Sequence, residues 1–333
     1  MPSGRPAGTH VTVRVFAAIA LLSILVAGLA MWRPAAPVAG SVDVGGDRGE
    51  EAVGETRETP PPERAAPRIP PRAAAVRTPA PARPLPQAFE AAEDLFAFRQ
   101  QLRPMADRGD AEARWMLSRV DEYCAPFARD PAGFARDSAL IGAMQLDAAR
   151  ALGAARSRIG TRCARFVPAD APTFVQLVER RRDAAEAGSL AAEAALLAMG
   201  APLSEDMDYR RGLVERVQVS RDPEAFAALS PAMGVSASGD VALADTVAGT
   251  QASEFAWQLA ACDLGLDCSS GGALMTQYCA NGGICARDAR QDFSTFVRDA
   301  AVPRQGAEAI DRMKKTLVED APESRHLLEM VMR

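Results

Sequence analysis

Hydrophobic residues recur at helical spacing from residue 88 onwards. In "AFEAAEDLFAFRQQLRPMA", residues 88–106, apolar side chains lie three and four positions apart, and Arg99 is the polar break among them. Gly109 then predicts the end of this helix, and Asp110 predicts the N-cap of a second one. No stretch longer than five residues alternates clearly between apolar and polar side chains. The pattern therefore predicts an all-α domain of antiparallel helical hairpins.

The rest of the domain shows the same periodicity. Pro104 has no backbone N–H to donate, so we expect a kink or a new first turn at this position. Further helices are predicted at 133–160, 205–218, 222–230, 241–263, 272–280, 291–300 and 305–332.

The first pair of helices has a counterpart later in the chain. The segments "ADRGDAEARWML" (106–117) and "AEAGSLAAEAAL" (185–196) share the pattern A-x-x-G-[D/S]-x-x-A-x-x-x-L. In both, small residues allow two helices to approach closely. The pairs Gly109-Asp110 and Gly188-Ser189 are predicted to turn the chain and cap the following helix.

This pattern resembles the helix-turn-helix unit of Sel1-like repeats, which are relatives of the tetratricopeptide repeats. The resemblance covers two windows of about 30 residues each. It implies an adaptor that binds other proteins, a role common to this family in bacterial envelopes and signalling complexes. The alternative interpretation is an irregular α-helical bundle that uses a common type of turn.

A different pattern precedes the helical domain. Residues 15–32, "VFAAIALLSILVAGLAMW", are 18 uncharged residues, which as a helix would span about 27 Å, close to the thickness of a bilayer core. Arg5 and Arg14 precede this span, and basic flanks favour the cytoplasmic side. We therefore predict a cytoplasmic tail at 1–14 and a single-pass anchor at 15–32. The alternative is a cleaved signal peptide with a small-residue site at Gly28-Leu29-Ala30.

Residues 33–87 are predicted to form a disordered linker, because they hold 12 of the 24 prolines and lack apolar periodicity. Residues 1–87 carry ten basic and seven acidic side chains, a net charge of +3. The remaining residues, 88–333, carry 28 basic and 36 acidic side chains, a net charge of −8. An acidic domain is poorly suited to a phosphate backbone, so a nucleic-acid partner is not expected.

Six cysteines occur, and four of them lie in two copies of C-x-x-G-x-x-C, "CDLGLDC" and "CANGGIC". An exported domain meets an oxidising compartment, which favours structural disulfides. The spacing is wider than in a zinc knuckle, no histidine is near, and the redox motif C-x-x-C is absent. We predict the pairs Cys124–Cys163, Cys262–Cys268 and Cys279–Cys285. The crossed pairs Cys262–Cys279 and Cys268–Cys285 are the alternative.

No catalytic constellation is evident. The chain has two histidines: His10 lies on the predicted cytoplasmic side, and His326 is alone near the C-terminus. The motifs for a Ser-His-Asp site, a phosphate loop or an EF-hand are absent. We therefore predict no catalytic residue, no cofactor, no metal site and no small-molecule substrate. Arginine supplies 36 of the 38 basic residues, which is typical of GC-rich bacterial codon usage.

These observations predict a non-enzymatic adaptor tethered to a bacterial inner membrane, with its C-terminal domain in the periplasm. Its expected partner is another envelope protein or peptide. The alternative is an all-α cell-wall enzyme, such as a lytic transglycosylase, with a single acidic catalyst in a sugar-binding cleft. The chain has three tryptophans and three tyrosines, so an aromatic-lined cleft would be hard to build.

Overall fold

The computed structural model describes residues 84–301 and 304–319. This part of the chain contains thirteen α-helices and no strand, so the predicted all-α class is confirmed for it. The helices are α1 (Leu85–Ala91), α2 (Leu95–Asp107), α3 (Ala111–Arg129), α4 (Pro131–Ala143), α5 (Asp147–Arg162), α6 (Phe174–Glu186), α7 (Leu190–Ala198), α8 (Met207–Ser220), α9 (Pro223–Leu229), α10 (Gln251–Asp263), α11 (Ala273–Gly282), α12 (Phe293–Phe296) and α13 (Arg304–Glu319). Short 3₁₀ turns lie at Pro168–Asp170, Ser230–Met233, Val235–Ala237 and Val241–Leu243, and a π-helical turn, Val297–Ala301, follows α12.

Local sequence sets where most of these helices begin. Nine of them have an N-cap side chain that accepts a hydrogen bond from a backbone N–H of the first turn, which satisfies a donor with no partner inside the helix. The nine caps are Asp94, Asp110, Asp130, Thr173, Ser189, Asp206, Asp222, Thr250 and Asp292.

The two predicted repeat turns share one local geometry. Gly109 has a φ of +92° and Gly188 a φ of +106°, in the left-handed region that glycine adopts without strain. The side chains of Asp110 and Ser189 accept hydrogen bonds from backbone N–H groups three residues later, at 2.9 and 3.2 Å. Both turns therefore end one helix and start the next within a few residues.

A continuous series of helix–helix contacts builds the core. Helix α3 packs against α1, α2 and α6, and the series continues from α6 to α7, α9, α10 and α13. Helix α4 packs against α5, which also packs against α11. Buried aromatic rings meet within this core: the ring centroids of Phe89 and Tyr123 are 5.8 Å apart, and those of Phe226 and Trp257 are 5.0 Å apart.

The helix predicted at 133–160 is two helices, α4 and α5. The chain leaves the helical conformation at Met144, whose ψ is 133°. A Cβ atom at Gly153 would lie 3.6 Å from the Cα atom of Gly142, so the two backbones approach closely where these glycines meet. The apolar periodicity continued across the break, and the prediction of one helix was wrong.

The helix predicted at 241–263 begins later, at Gln251. Thr250 and Ser253 form a reciprocal capping box that fixes this start. The preceding residues form a 3₁₀ turn and a loop, whose Val247 carbonyl accepts a hydrogen bond from the indole N–H of Trp257 at 2.8 Å. This bond and the capping box outweigh the apolar pattern that predicted an earlier start.

Three other helix boundaries can be compared with the predictions. Helix α2 continues through Pro104 to Asp107, so no new helix begins at this proline. Helix α1 begins at Leu85, inside the range predicted as linker, with Pro86 in its first turn where proline is well tolerated. Helix α13 ends at Glu319 within the described residues, and the remainder of the predicted helix lies outside them.

The predicted cytoplasmic tail (1–14), the predicted anchor (15–32) and the linker up to residue 83 lie outside the described residues. Within 84–301 and 304–319, none of the helices combines the length and the apolar character needed to cross a membrane.

Three disulfides form within the described part of the chain, so the prediction of disulfide bonds is confirmed. Two of them tie the end of a helix to the loop that leaves it. Gly265 and Gly283 turn the chain at these two sites, with φ values of +114° and +69°. The pairs are Cys124–Cys163, Cys262–Cys268 and Cys279–Cys285, with Cα–Cα separations of 5.5, 5.7 and 4.3 Å, and they are the pairs predicted from the sequence.

Candidate functional site

An open cleft of about 580 Å³ lies between helices α3, α6, α7, α9, α10 and α11. A smaller pocket of about 270 Å³ adjoins it near α1. The two share Glu90, Glu224, Leu266 and Asp267 in their walls, so we treat them as one feature, the interhelical cleft. Its size falls within the range of ligand-binding clefts in proteins, roughly 300–1,000 Å³.

Small residues create the space in the cleft. Helices α7 and α9 present four alanines to it, and short side chains on packed helices leave room in front of their backbones. Larger apolar side chains form the facing walls: Trp115 on α3, and Leu274 and Tyr278 on α11. The cleft therefore offers apolar surface between polar groups. The alanines are Ala195, Ala198, Ala227 and Ala228.

One wall is fixed by a buried polar cluster. The carboxylate of Glu224 on α9 accepts a hydrogen bond from the indole N–H of Trp115 at 3.2 Å. It also pairs with the guanidinium of Arg119 at 2.6 Å. The same guanidinium lies over the ring of Phe89, 4.7 Å from its centroid. Because each group restrains the next, this wall is rigid and its charges are paired.

Arg181, on α6, brings a second buried cation to the cleft. Its guanidinium donates to Glu122 at 2.5 Å and lies 5.5 Å from the ring centroid of Trp115. Within the described residues, the Nε of Arg181 is buried and has no hydrogen-bond acceptor. A buried donor without a partner costs free energy. An oxygen atom of a bound molecule could supply the missing acceptor.

Three other carboxylates of the cleft have no basic partner in the described part of the chain. Glu90 accepts a hydrogen bond from the backbone N–H of Ala273 at 3.0 Å. Asp267 accepts one from a backbone N–H at 2.9 Å. Glu254 accepts one from the side-chain amide of Gln251 at 3.0 Å. These contacts orient the three carboxylates.

Burial raises the pKa of two of these carboxyl groups. For Glu90, burial raises the pKa and outweighs the opposing effects of the Arg119 and Arg162 charges and of the hydrogen bond from Ala273. For Glu254, burial raises the pKa and the hydrogen bond from Gln251 partly opposes it. Burial therefore disfavours the ionised form of both groups.

The residues predicted from the sequence lie beside the cleft or away from it. The turn residues Gly109, Asp110, Gly188 and Ser189 do not line it. The short disulfides hold its lining: the loop closed by Cys262–Cys268 contains Leu266 and Asp267, and Cys279 follows Tyr278 directly on α11.

None of the charged residues that line the cleft was predicted from the sequence as a site residue. One signal was available for Glu254 and Gln258, which lie four residues apart in α10 and so share one helix face. Their neighbours 255–257 and 259–261 are buried. A glutamate within such a run marks a polar surface beside a core. Within the described residues, no group of three or more histidine, cysteine, aspartate or glutamate side chains could hold a metal ion.

Comparison of the chain with protein-family models, curated proteins and solved structures gives no match.

Proposed function

We propose that this protein is a helical adaptor that holds a segment of another envelope protein in the interhelical cleft. The observation that carries the proposal is the cleft itself, about 580 Å³, with apolar walls and polar groups that have unused hydrogen-bonding capacity. A peptide segment fits this chemistry, since it has both apolar side chains and backbone carbonyl oxygens. In this proposal the helix pairs α2–α3 and α6–α7 are Sel1-like hairpins that form the scaffold.

The proposed location is the periplasmic side of a bacterial inner membrane, with residues 15–32 as the anchor. Three disulfides support it, because such bonds persist in oxidising compartments. The linker would let the domain reach a partner away from the membrane surface.

The proposed function is tested by purification of the full chain from membranes with a variant that fills the cleft. Ala228 lines the cleft, and Ala228→Trp places a large side chain in it. Ala132→Trp makes the same change at an exposed position of α4 and serves as the control. We expect a stoichiometric partner with the wild type and with Ala132→Trp but not with Ala228→Trp. A partner retained by Ala228→Trp would contradict the proposal.

A second candidate function follows from Glu254. Its pKa is raised by burial, and Trp115 and Tyr278 line the same cleft. A glutamate that stays protonated at higher pH is suited to general-acid catalysis of glycoside cleavage. Incubation of peptidoglycan with the full chain and with Glu254→Gln tests this activity. Sugar fragments released by the wild type alone would favour the enzyme, and equal traces from both would exclude this role for Glu254.

A further inference from the structure

We infer that the segment bound in the interhelical cleft carries lysine or arginine, and that Glu90, Asp267 and Glu254 receive its positive charge. This inference rests on the proposed function and specifies the chemistry of the partner.

The charge balance of the cleft is the first argument. Five carboxylates and two arginines line it. Both arginines already have acidic partners, Arg119 with Glu224 and Arg181 with Glu122. Glu90, Asp267 and Glu254 form no ion pair in the described residues, so the formal charge of the side chains that line the cleft is −3. Because a cleft with apolar walls screens charge less than open solvent does, this excess attracts a cation.

The placement of the three carboxylates is the second argument. Glu90 and Asp267 both line the smaller pocket at the α1 end of the cleft. Each carboxylate accepts a hydrogen bond from a backbone N–H and forms no ion pair in the described residues. A cation in this pocket would lie near both of them. Glu254, on α10, lines the larger part of the cleft and provides a second position for positive charge.

The remaining lining favours a peptide over a small inorganic cation. The aliphatic stem of lysine or arginine packs on apolar surface while its charged end reaches a carboxylate, and Leu266 and Tyr278 offer such surface. Arg181 has a buried Nε without an acceptor, and a peptide carbonyl supplies an acceptor. In the described ranges, no three acidic, histidine or cysteine side chains group as metal ligands do.

The inference is tested with a phage library of random heptapeptides selected on the full chain in detergent. Selection on Ala228→Trp identifies the peptides whose binding depends on the cleft. We expect these peptides to share a lysine or arginine. Replacement of that residue by glutamine should weaken binding about tenfold, the order expected for loss of one charge-assisted hydrogen bond.

Variants of the carboxylates complete the test. Glu90→Gln with Asp267→Asn, or Glu254→Gln, should weaken the basic peptide about tenfold and leave its glutamine version unchanged. A misfolded variant would lose both peptides, so the pair controls for folding. Glu205→Gln, at an exposed position outside the cleft, should change neither.

The outcomes separate the two proposals. Cleft-dependent peptides without a basic residue, or basic peptides unaffected by all carboxylate variants, would overturn the charge inference and leave the adaptor proposal standing. No cleft-dependent peptide at all would contradict both.

Discussion

The carboxylates of the cleft differ in whether other side chains of the protein satisfy their charge. Glu254 is partly buried and has no basic partner in the described part of the chain, so its ionised form is disfavoured in the folded state. Glu224 is more deeply buried, but two donors satisfy its carboxylate. The contrast indicates that Glu224 is structural, whereas Glu254 is available to a ligand.

This difference predicts a pH-dependent effect of Glu254→Gln. A carboxyl group whose pKa is raised on folding contributes stability below its ordinary value of 4.5, and this stability is lost as the pH rises through the raised value. At pH 7 the neutral glutamine should therefore raise the melting temperature. Near pH 4, where the glutamate is largely protonated, the two proteins should melt together. A lower melting temperature for the variant at pH 7 would contradict this account of the site.

The turn glycines give a second prediction at the residue scale. Gly109 and Gly188 have positive φ, and a Cβ atom at either would meet no atom within 4 Å. Alanine at these positions should thus destabilise through backbone strain alone, by about 1 kcal/mol. Gly212 lies within α8 at negative φ and is equally open, so Gly212→Ala should stabilise by up to about 1 kcal/mol. Urea denaturation measures all three, and a loss at Gly212 equal to that at Gly109 would refute the argument.

Secondary-structure elements could be predicted from the sequence wherever residues close in the chain determine where a helix begins or ends. The caps at Asp110 and Ser189, the glycine turns before them and the short disulfides are all encoded within a few residues of sequence. The break at Met144 lies where α4 and α5 pack closely through Gly142 and Gly153, which apolar periodicity does not register. The start of α10 at Gln251 is set by the Thr250–Ser253 capping box, a local signal that the apolar pattern also does not register. The cleft could not be predicted, because it forms only where distant elements meet: its three carboxylates without an ion pair come from α1, α10 and the loop before α11.

The disulfides give a prediction at the element scale. By chain entropy, loss of Cys262–Cys268 by a double serine substitution should cost about 2 kcal/mol, and loss of Cys124–Cys163 about 4 kcal/mol. The short bridge closes the loop that carries Leu266 and Asp267, so its removal should also weaken cleft-dependent binding. The longer bridge joins α3 to the end of α5, and its residues do not line the cleft. Equal loss of binding in both double variants, measured well below their melting temperatures, would contradict this assignment.

At the scale of the whole molecule, an acidic helical domain follows a predicted membrane anchor and linker. The uncharged stretch 15–32 and the basic residues before it predict that the span is retained. N-terminal sequencing of the protein isolated from membranes should find a start before residue 15. A start at Met31 or later would show that the span is a cleaved signal peptide.

The central claim is that the interhelical cleft contacts another protein, and site-specific photocrosslinking in intact cells tests it most directly. Asn281 is exposed at the cleft, and Glu205 is exposed outside it. With a photoreactive amino acid at either position of the full chain, we predict a discrete protein adduct from position 281 and none from position 205. Ala228→Trp in the same chain should abolish the adduct. An equal adduct from both positions, or one that persists with Ala228→Trp, would contradict the claim.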